Sequence, residues 1–283
     1  MEQKKFVLKE PPSMEKLSKE KQVQELRDLA LAGESSFYRS LWKSDPSTPL
    51  TLEHLQKIPL KDRSYRHGLG FVRIIHLEIG HVLSKILKSV AKLPFDLSGE
   101  RPFIMCADEQ LSLELLVRTY GEGRLPLLGE TRLARSSLTA GKTYGVDTAL
   151  CDAAGALVLL SNISTSPITK LRTLSILTEG FPDQKVFEQV SKTSKNLAVN
   201  WYLSLPETGM LGNLCLTTKR TAFLHEGEKI HLHEKDGTLL VDTLDGALAA
   251  PLICYKTRIQ TSPLTSCEAC GKSGYQIFEN YSR

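Results

Sequence analysis

A chain of 283 residues, 41% of them apolar, is long enough to bury a sizeable core as one large multi-layer domain or as about two smaller ones. No stretch approaches the roughly 20 apolar residues of a membrane-spanning helix, and Met1 to Lys5 are not followed by the apolar core of a signal peptide, so a cytoplasmic protein with no membrane partner is expected. The net charge of +4 arises within residues 1–100, where 17 Lys/Arg face 13 Asp/Glu, but no basic stripe interleaved with aromatics forms, and nucleic acid is not an expected partner.

Residues 1–12 are polar and contain Pro11-Pro12, which predicts an extended arm. Ser13 then opens a helical pattern in which Leu17, Val23, Leu26 and Ala30 recur, with Gly33 as terminator. After the aromatic stretch Phe37 to Trp42, Thr51 caps a two-turn helix through Lys57, because Pro59 disfavours helix at the residue before it.

From about residue 101 strands and helices alternate. Strand Phe103–Cys106 leads to a helix capped by Asp108 that runs through Tyr120 and stops at Gly121. A short strand Leu125–Leu128, a helix over 130–143, a strand Val146–Leu150 and a helix over 152–160 follow. Strand Leu171–Leu177, a helix over 182–194 and strand Leu197–Leu203 complete the series. Such alternation implies an α/β fold with a mostly parallel, helix-flanked sheet. After Gly212 the rhythm changes to short strands: Ile230–Glu234 and Thr238–Thr243 flank the turn Lys235-Asp236-Gly237 and predict a hairpin. Three segments are expected: residues 1–100 as a helical segment packing on the large domain, 101–210 as an α/β subdomain, and 211–283 as a β-rich subdomain.

Six cysteines in a chain without an export signal argue for reduced thiols, some of them metal ligands, rather than for a disulfide framework. The sequence Cys267-Glu268-Ala269-Cys270-Gly271 is a knuckle: two thiolates three positions apart can grip one zinc ion, and the glycine lets the backbone curl around it. Cys106, Cys151 and Cys254 fall in or at the ends of apolar strands, where core packing accounts for them. His67, His76 and His81 have no cysteine or acid at ligand spacing and are expected to be ordinary histidines, and neither a G-x-S-x-G elbow nor an H-E-x-x-H helix occurs.

The order of several segments resembles the large domain of the adenylate-forming superfamily, in particular its phenylacetate-CoA ligase and coenzyme F390 synthetase-like branch. The segments are Phe37-Tyr38-Arg39 through Asp62, then Leu174 to Gly180, then Leu203-Ser204-Leu205-Pro206-Glu207-Thr208-Gly209, then Asp236 to Leu244, and last Pro251 to Thr257. They stand where the family carries an N-terminal "fYr" segment, a "gGE" strand end, "YGxTExG" and "dG.lvvT.l … PliRYrTGD". The resemblance implies an acyl-adenylating or acyl-CoA ligase fold in which Glu179, Glu207, Thr208 and Tyr255 fall at ATP- or magnesium-site positions, with Glu207 matching the magnesium carboxylate.

The same resemblance implies losses. The family's Ser/Thr/Gly-rich phosphate loop falls on Ile75-His76-Leu77-Glu78-Ile79-Gly80, where Glu78 would repel phosphate. The ribose-binding aspartate falls on Ile259, its preceding glycine on Arg258 and a conserved-type arginine on Cys254. The small C-terminal lid domain with its catalytic lysine would lie beyond Arg283. ATP and magnesium chemistry by this polypeptide alone is therefore not expected. The branch's zinc site also has positional counterparts, and they make Cys215, His225, Cys267 and Cys270 a closed ligand set for structural zinc. A competing reading makes Cys215 a buried apolar residue, His225 a loop histidine and the cysteine pair a coincidence, and a third puts His231 or His233 in the histidine's place.

The leading expectation is a reduced, non-catalytic relative of acyl-CoA ligases that binds an acyl or aromatic acid or a partner protein. One alternative is an active AMP-forming carboxylate ligase completed by a separate small domain. The other is a zinc-stabilised scaffold in a biosynthetic complex.

Overall fold

Short strands buried along nearly their whole length, alternating with helices that cover them, build the fold seen in a computed structural model. The structure describes residues 18–29, 40–43, 45, 47–56, 101–121, 123–163, 168, 170–193, 197–205, 208–216, 221–227, 230–244 and 252–278. The chain divides into two units, Met1–Thr48 and Pro49–Arg283. In the first, helix α1 (Lys19–Leu29) carries Arg27, whose guanidinium lies 5.4 Å from the Trp42 ring, and the indole N–H donates to the Thr48 carbonyl at 3.0 Å. The arm, the start of the predicted first helix and Gly33 lie outside the described residues.

The second unit opens with a one-turn helix, α2 (Leu52–Gln56), whose His54 N–H is capped by Thr51 Oγ1 at 3.4 Å. Among the described residues, eleven strands then form a single sheet. Its parallel half comprises β1 (Pro102–Met105), β2 (Leu127–Leu128), β3 (Thr148–Asp152), β4 (Thr173–Thr178) and β5 (Ala198–Leu205). The antiparallel half comprises β6 (Gly209–Leu216), β7 (Thr221–Glu226), β8 (Ile230–Lys235), β9 (Thr238–Thr243), β10 (Tyr255–Ser266) and β11 (Ser273–Phe278). The strand order is β2-β1-β3-β4-β5-β6-β7-β11-β10-β9-β8. The predicted hairpin is β8–β9, turned by Asp236 at φ 53° and Gly237 at φ 72°.

The connecting helices are α3 (Glu109–Gly121), α4 (Ala134–Tyr144, preceded by a 3-10 turn over Thr131–Leu133), α5 (Ala153–Asn162) and α6 (Gln184–Thr193). Strand alternation distributes them. Phe103, Ala149, Leu174 and Ile176 face one side and pack with Leu138 of α4, Leu159 of α5 and Val186 of α6. Ile104, Leu150 and Leu177 face the other and pack with Leu115 of α3. The chain steps outward from β1 to β2 and then back past β1 to β3. Right-handed crossovers therefore put α3 on the face opposite the other three helices.

Asp152 fastens this reversal. Its Oδ1 caps α5 by accepting from the Gly155 N–H at 2.6 Å, and its Oδ2 accepts from the N–H groups of Ala107 and Asp108 at 2.7 and 3.0 Å. Asp108 in turn caps α3 through the Leu111 N–H at 3.1 Å, as the sequence predicts.

Candidate metal centre and cleft

The knuckle is made where β10 ends and β11 begins. Gly271 takes φ +71°, a left-handed conformation that a residue with a Cβ adopts only with strain, and this reverses the chain. Its N–H donates to the Cys267 carbonyl at 2.8 Å, and the Cys267 N–H donates to the Lys272 carbonyl at 2.8 Å. Cys267 is thereby buried and Cys270 exposed. The other two ligands come from the β6–β7 pair. Asn213 opposes His225 and Cys215 opposes Phe223, so Cys215 and His225 are diagonal neighbours leaving the same face of the sheet.

Strand β11 lies against β7, and the ligand atoms of Cys215, His225, Cys267 and Cys270 all fall within 4.8 Å of one another. The Cys215 and Cys270 sulfurs are 3.7 Å apart, and Cys270 Sγ is 3.3 Å from His225 Nε2. Two thiolates each about 2.3 Å from a tetrahedral zinc ion stand about 3.8 Å apart, so the spacing suits a shared ion and is far too long for a disulfide.

The imidazole is set for ligation. His225 Nδ1 lies 2.9 Å from the Ser273 carbonyl, which can only accept. The ring proton is therefore held on Nδ1, and the lone pair of Nε2 faces the sulfurs. Burial and the neighbouring thiols Cys270 and Cys267 push Cys215 up to about 12, while the Lys272 backbone N–H lowers Cys270. A cation at the centre reverses the mutual repulsion that raises Cys215. The four residues can hold a metal ion in a closed tetrahedron.

Gly274 makes room for the ring. The β7–β11 register, Leu224 opposite Tyr275, continues to set Gly274 opposite His225. A Cβ on Gly274 would meet the Leu224 carbonyl oxygen at 2.9 Å and His225 Nδ1 and Cε1 at 3.0 and 3.1 Å. Gly274→Ala is expected to turn the imidazole from the sulfurs and weaken metal affinity about 10- to 100-fold, the loss typical when the group orienting a ligating histidine is disturbed. Competition with a chromophoric chelator measures this, and wild-type affinity would show that the ring is held in some other way.

His231 and His233, the alternative histidines, do not join this cluster. Both lie on β8, with His233 Nδ1 3.3 Å from Asp242 Oδ2 and His231 Nδ1 3.4 Å from Glu226 Oε2. The three remaining cysteines are buried. Burial pushes Cys106 up to about 12 and also raises Cys151, which keeps both as neutral thiols in the core. Cys254 is not within a strand as predicted. It precedes β10 with φ 56°, and its N–H donates to Asp242 Oδ1 at 2.6 Å, so the carboxylate holds the chain in this left-handed bend.

A second feature is a cleft of about 820 Å³ at the carboxyl ends of β4 and β5, the side on which open α/β sheets bind ligands. Glu179, which follows β4, stands on one wall with Lys185 of α6, and Tyr255, Arg258 and Ile259 of β10 stand on the other. Two of the sequence-predicted nucleotide-site residues, Glu179 and Tyr255, thus share the cleft. Thr208 does not line it: it is buried in the β5–β6 turn, and its hydroxyl donates to the Gly209 carbonyl at 3.2 Å. Glu207, Glu78 and Gly80 lie outside the described residues. Ile259, where the resemblance places a ribose-binding aspartate, is 7% exposed, and its N–H donates to Thr257 Oγ1 at 3.1 Å. Leu50 bridges to Tyr255 in parallel fashion and holds α2 beside the cleft, where Leu52 reaches the lining. Sequence reasoning missed Lys185, which carries no motif.

Comparison with protein-family models and with curated proteins finds no match. Solved structures do match. 2-Hydroxyisobutyryl-CoA ligase, in an open conformation with 2-HIB-AMP and CoA, is similar over 91% of this chain and 72% of its own, at 14% identity and a TM-score of 0.58. The fold is similar to that of this ligase. The same enzyme in its thioesterification state matches 95% of this chain and 69% of its own, at 12% identity and a TM-score of 0.58. O-succinylbenzoate-CoA synthetase from Bacillus subtilis matches 71% of this chain and 45% of its own, at 12% identity and a TM-score of 0.49. Among the described residues no helix is long and apolar enough to cross a membrane.

Proposed function

We propose that the chain is a reduced, non-catalytic relative of acyl-adenylating ligases. It binds an acyl or aromatic carboxylic acid in the cleft, and zinc held by Cys215, His225, Cys267 and Cys270 fixes the antiparallel half of the sheet. The observation that carries this reading is the wall made by Tyr255, Arg258 and Ile259. A ribose needs an acceptor for its two hydroxyls, and isoleucine offers none. The same wall offers an aromatic ring, an aliphatic side chain and a guanidinium that can pair with a carboxylate. The cleft is within the range of about 300–1,000 Å³ that holds small organic ligands. The zinc set is closed, so the metal has a structural part and no open position for substrate.

Isothermal titration with ATP and magnesium, and a pyrophosphate-release assay over a panel that includes 2-hydroxyisobutyrate and benzoate, test the reading. The expected result is heat from one or more acids, none from ATP at micromolar concentration, and background pyrophosphate. Micromolar ATP binding with adenylate formation would overturn it. The position of the cleft at the strand ends favours one alternative, an active AMP-forming ligase completed by a separate domain. Pyrophosphate release that appears only when a small domain is added in trans would establish that alternative.

A further inference from the structure

The hairpin β8–β9 carries a second convergence of metal-ligating side chains, set on the last strand of the sheet. His231 and His233 are two residues apart on β8, so both rings leave the same face. They stack with centroids 5.8 Å apart and planes 28° from parallel. Asp242 opposes His231 in the β8–β9 register and therefore shares that face. One ligand atom from each of His231, His233 and Asp242 falls within 4.8 Å of the others.

The polar bookkeeping of this cluster closes in one of two ways, by a His233–Asp242 ion pair or by a cation that the side chains share. Asp242 is 1% exposed, and a carboxylate buried to that degree needs partners for both oxygens. Oδ1 has the Cys254 N–H at 2.6 Å. Oδ2 and His233 Nδ1 face each other at 3.3 Å, both buried, as an ion pair when the imidazole carries its second proton and as two facing lone pairs when it does not. Two atoms each about 2.1 Å from a tetrahedral zinc ion lie about 3.4 Å apart, so this separation suits ligands that share an ion. Glu226 Oε2 stands 3.4 Å from His231 Nδ1 and accepts the Leu232 N–H at 2.6 Å. A carboxylate fixed beside an imidazole in this way is the usual orienting contact behind a ligating histidine.

We infer that His231, His233 and Asp242 form a second metal site, selective for a borderline divalent transition metal such as zinc, nickel or cobalt. Two imidazoles and one carboxylate favour those ions over magnesium or calcium, which prefer all-oxygen shells. The site differs in kind from the thiolate knuckle. Three protein ligands leave a position for water, so the ion exchanges more readily than one enclosed by three sulfurs and a nitrogen. It also adjoins the cleft through the chain: Asp242 holds the Cys254 N–H, and Tyr255, the next residue, lines the cleft. An ion here ties edge strand β8 and β9 to the segment that carries that wall. The inference does not depend on the acid-binding reading of the cleft.

Cobalt(II) titration of the metal-free full chain separates the two sites, because the three thiolates of the knuckle give thiolate-to-metal charge transfer, and it is run with Cys254→Ala as well, which removes the thiol that lies beside His233. The expected result is two equivalents bound per chain, the charge-transfer band saturating with one and the weaker d–d absorption continuing to the second. His231→Ala/His233→Ala is expected to bind one equivalent with the charge-transfer band intact, and Cys267→Ser/Cys270→Ser to lose that band while keeping a nitrogen- and oxygen-ligated cobalt spectrum. If the doubly cysteine-substituted chain fails to fold, the histidine variant and the wild-type stoichiometry decide the matter. One equivalent in the wild type, or two equivalents retained in the histidine variant, would overturn the assignment.

Discussion

Cys267→Ser is expected to strip the knuckle of its metal and lower the melting temperature by about 10 °C. Loss of a structural metal belongs to the small set of changes worth about 4 kcal/mol or more, and a chain of this size loses roughly 2–4 °C per kcal/mol. Cys267 is the ligand with most at stake. It is 1% exposed, it anchors both backbone hydrogen bonds of the turn, and its removal leaves Cys215 and Cys270 crowded at 3.7 Å without a cation between them. The three strands that contribute ligands or follow the knuckle, β6, β7 and β11, are neighbours in the sheet, so an ion held there would tie non-consecutive segments and its binding energy would be folding energy. Glu268→Ala is the control, since that side chain is exposed and outside the ligand set. Thermal melts of both variants with and without chelator, alongside metal analysis, give the readout. A wild-type melt that chelation leaves unchanged would remove the structural role.

The knuckle was legible because both cysteines and the glycine lie within five residues, where spacing alone sets geometry. Cys215 and His225 were placed only by family order. What joins them is the register of β6 against β7, a matter of hydrogen bonds between strands that no local pattern records. The same limit hid the second cluster. His231-Leu232-His233 alternates visibly, and the returning strand holds Asp242, so a face assignment for the hairpin would have found all three. Read singly, the two histidines were only substitutes for His225. The strand and helix succession from 101 to 205 was legible because periodicity is local and Asp108 announces a cap; the cap that Asp152 provides was not read from the sequence. That β6 turns back on β5 and carries the same sheet into its antiparallel half was not, because strands of either pairing share one alternation.

Gly155→Ala tests the parallel half, far from either metal cluster in the strand order. A Cβ on Gly155 would fall 1.7 Å from the Met105 carbonyl oxygen and 2.7 Å from its carbon, and both are backbone atoms that no rotamer change can move aside. Helix α5 begins this close to β1 because Asp152 draws three N–H groups from two loops onto one carboxylate, Gly155 among them. Relief requires α5 to withdraw from the sheet. That loosens the cap and opens the packing of Ala156, Leu159 and Leu160, which are at most 2% exposed. Overpacking of this kind costs about 1–3 kcal/mol and loss of a helix cap about 1 kcal/mol more. The expected outcome is a loss of about 3 kcal/mol, read as a lower denaturant midpoint with an unchanged slope. Metal content should remain that of the wild type, because β6, β7 and β11 are not touched. A wild-type midpoint would mean that α5 approaches β1 less closely than the Asp152 hydrogen bonds require. A fall accompanied by metal loss would mean that the two halves of the sheet unfold as one cooperative unit.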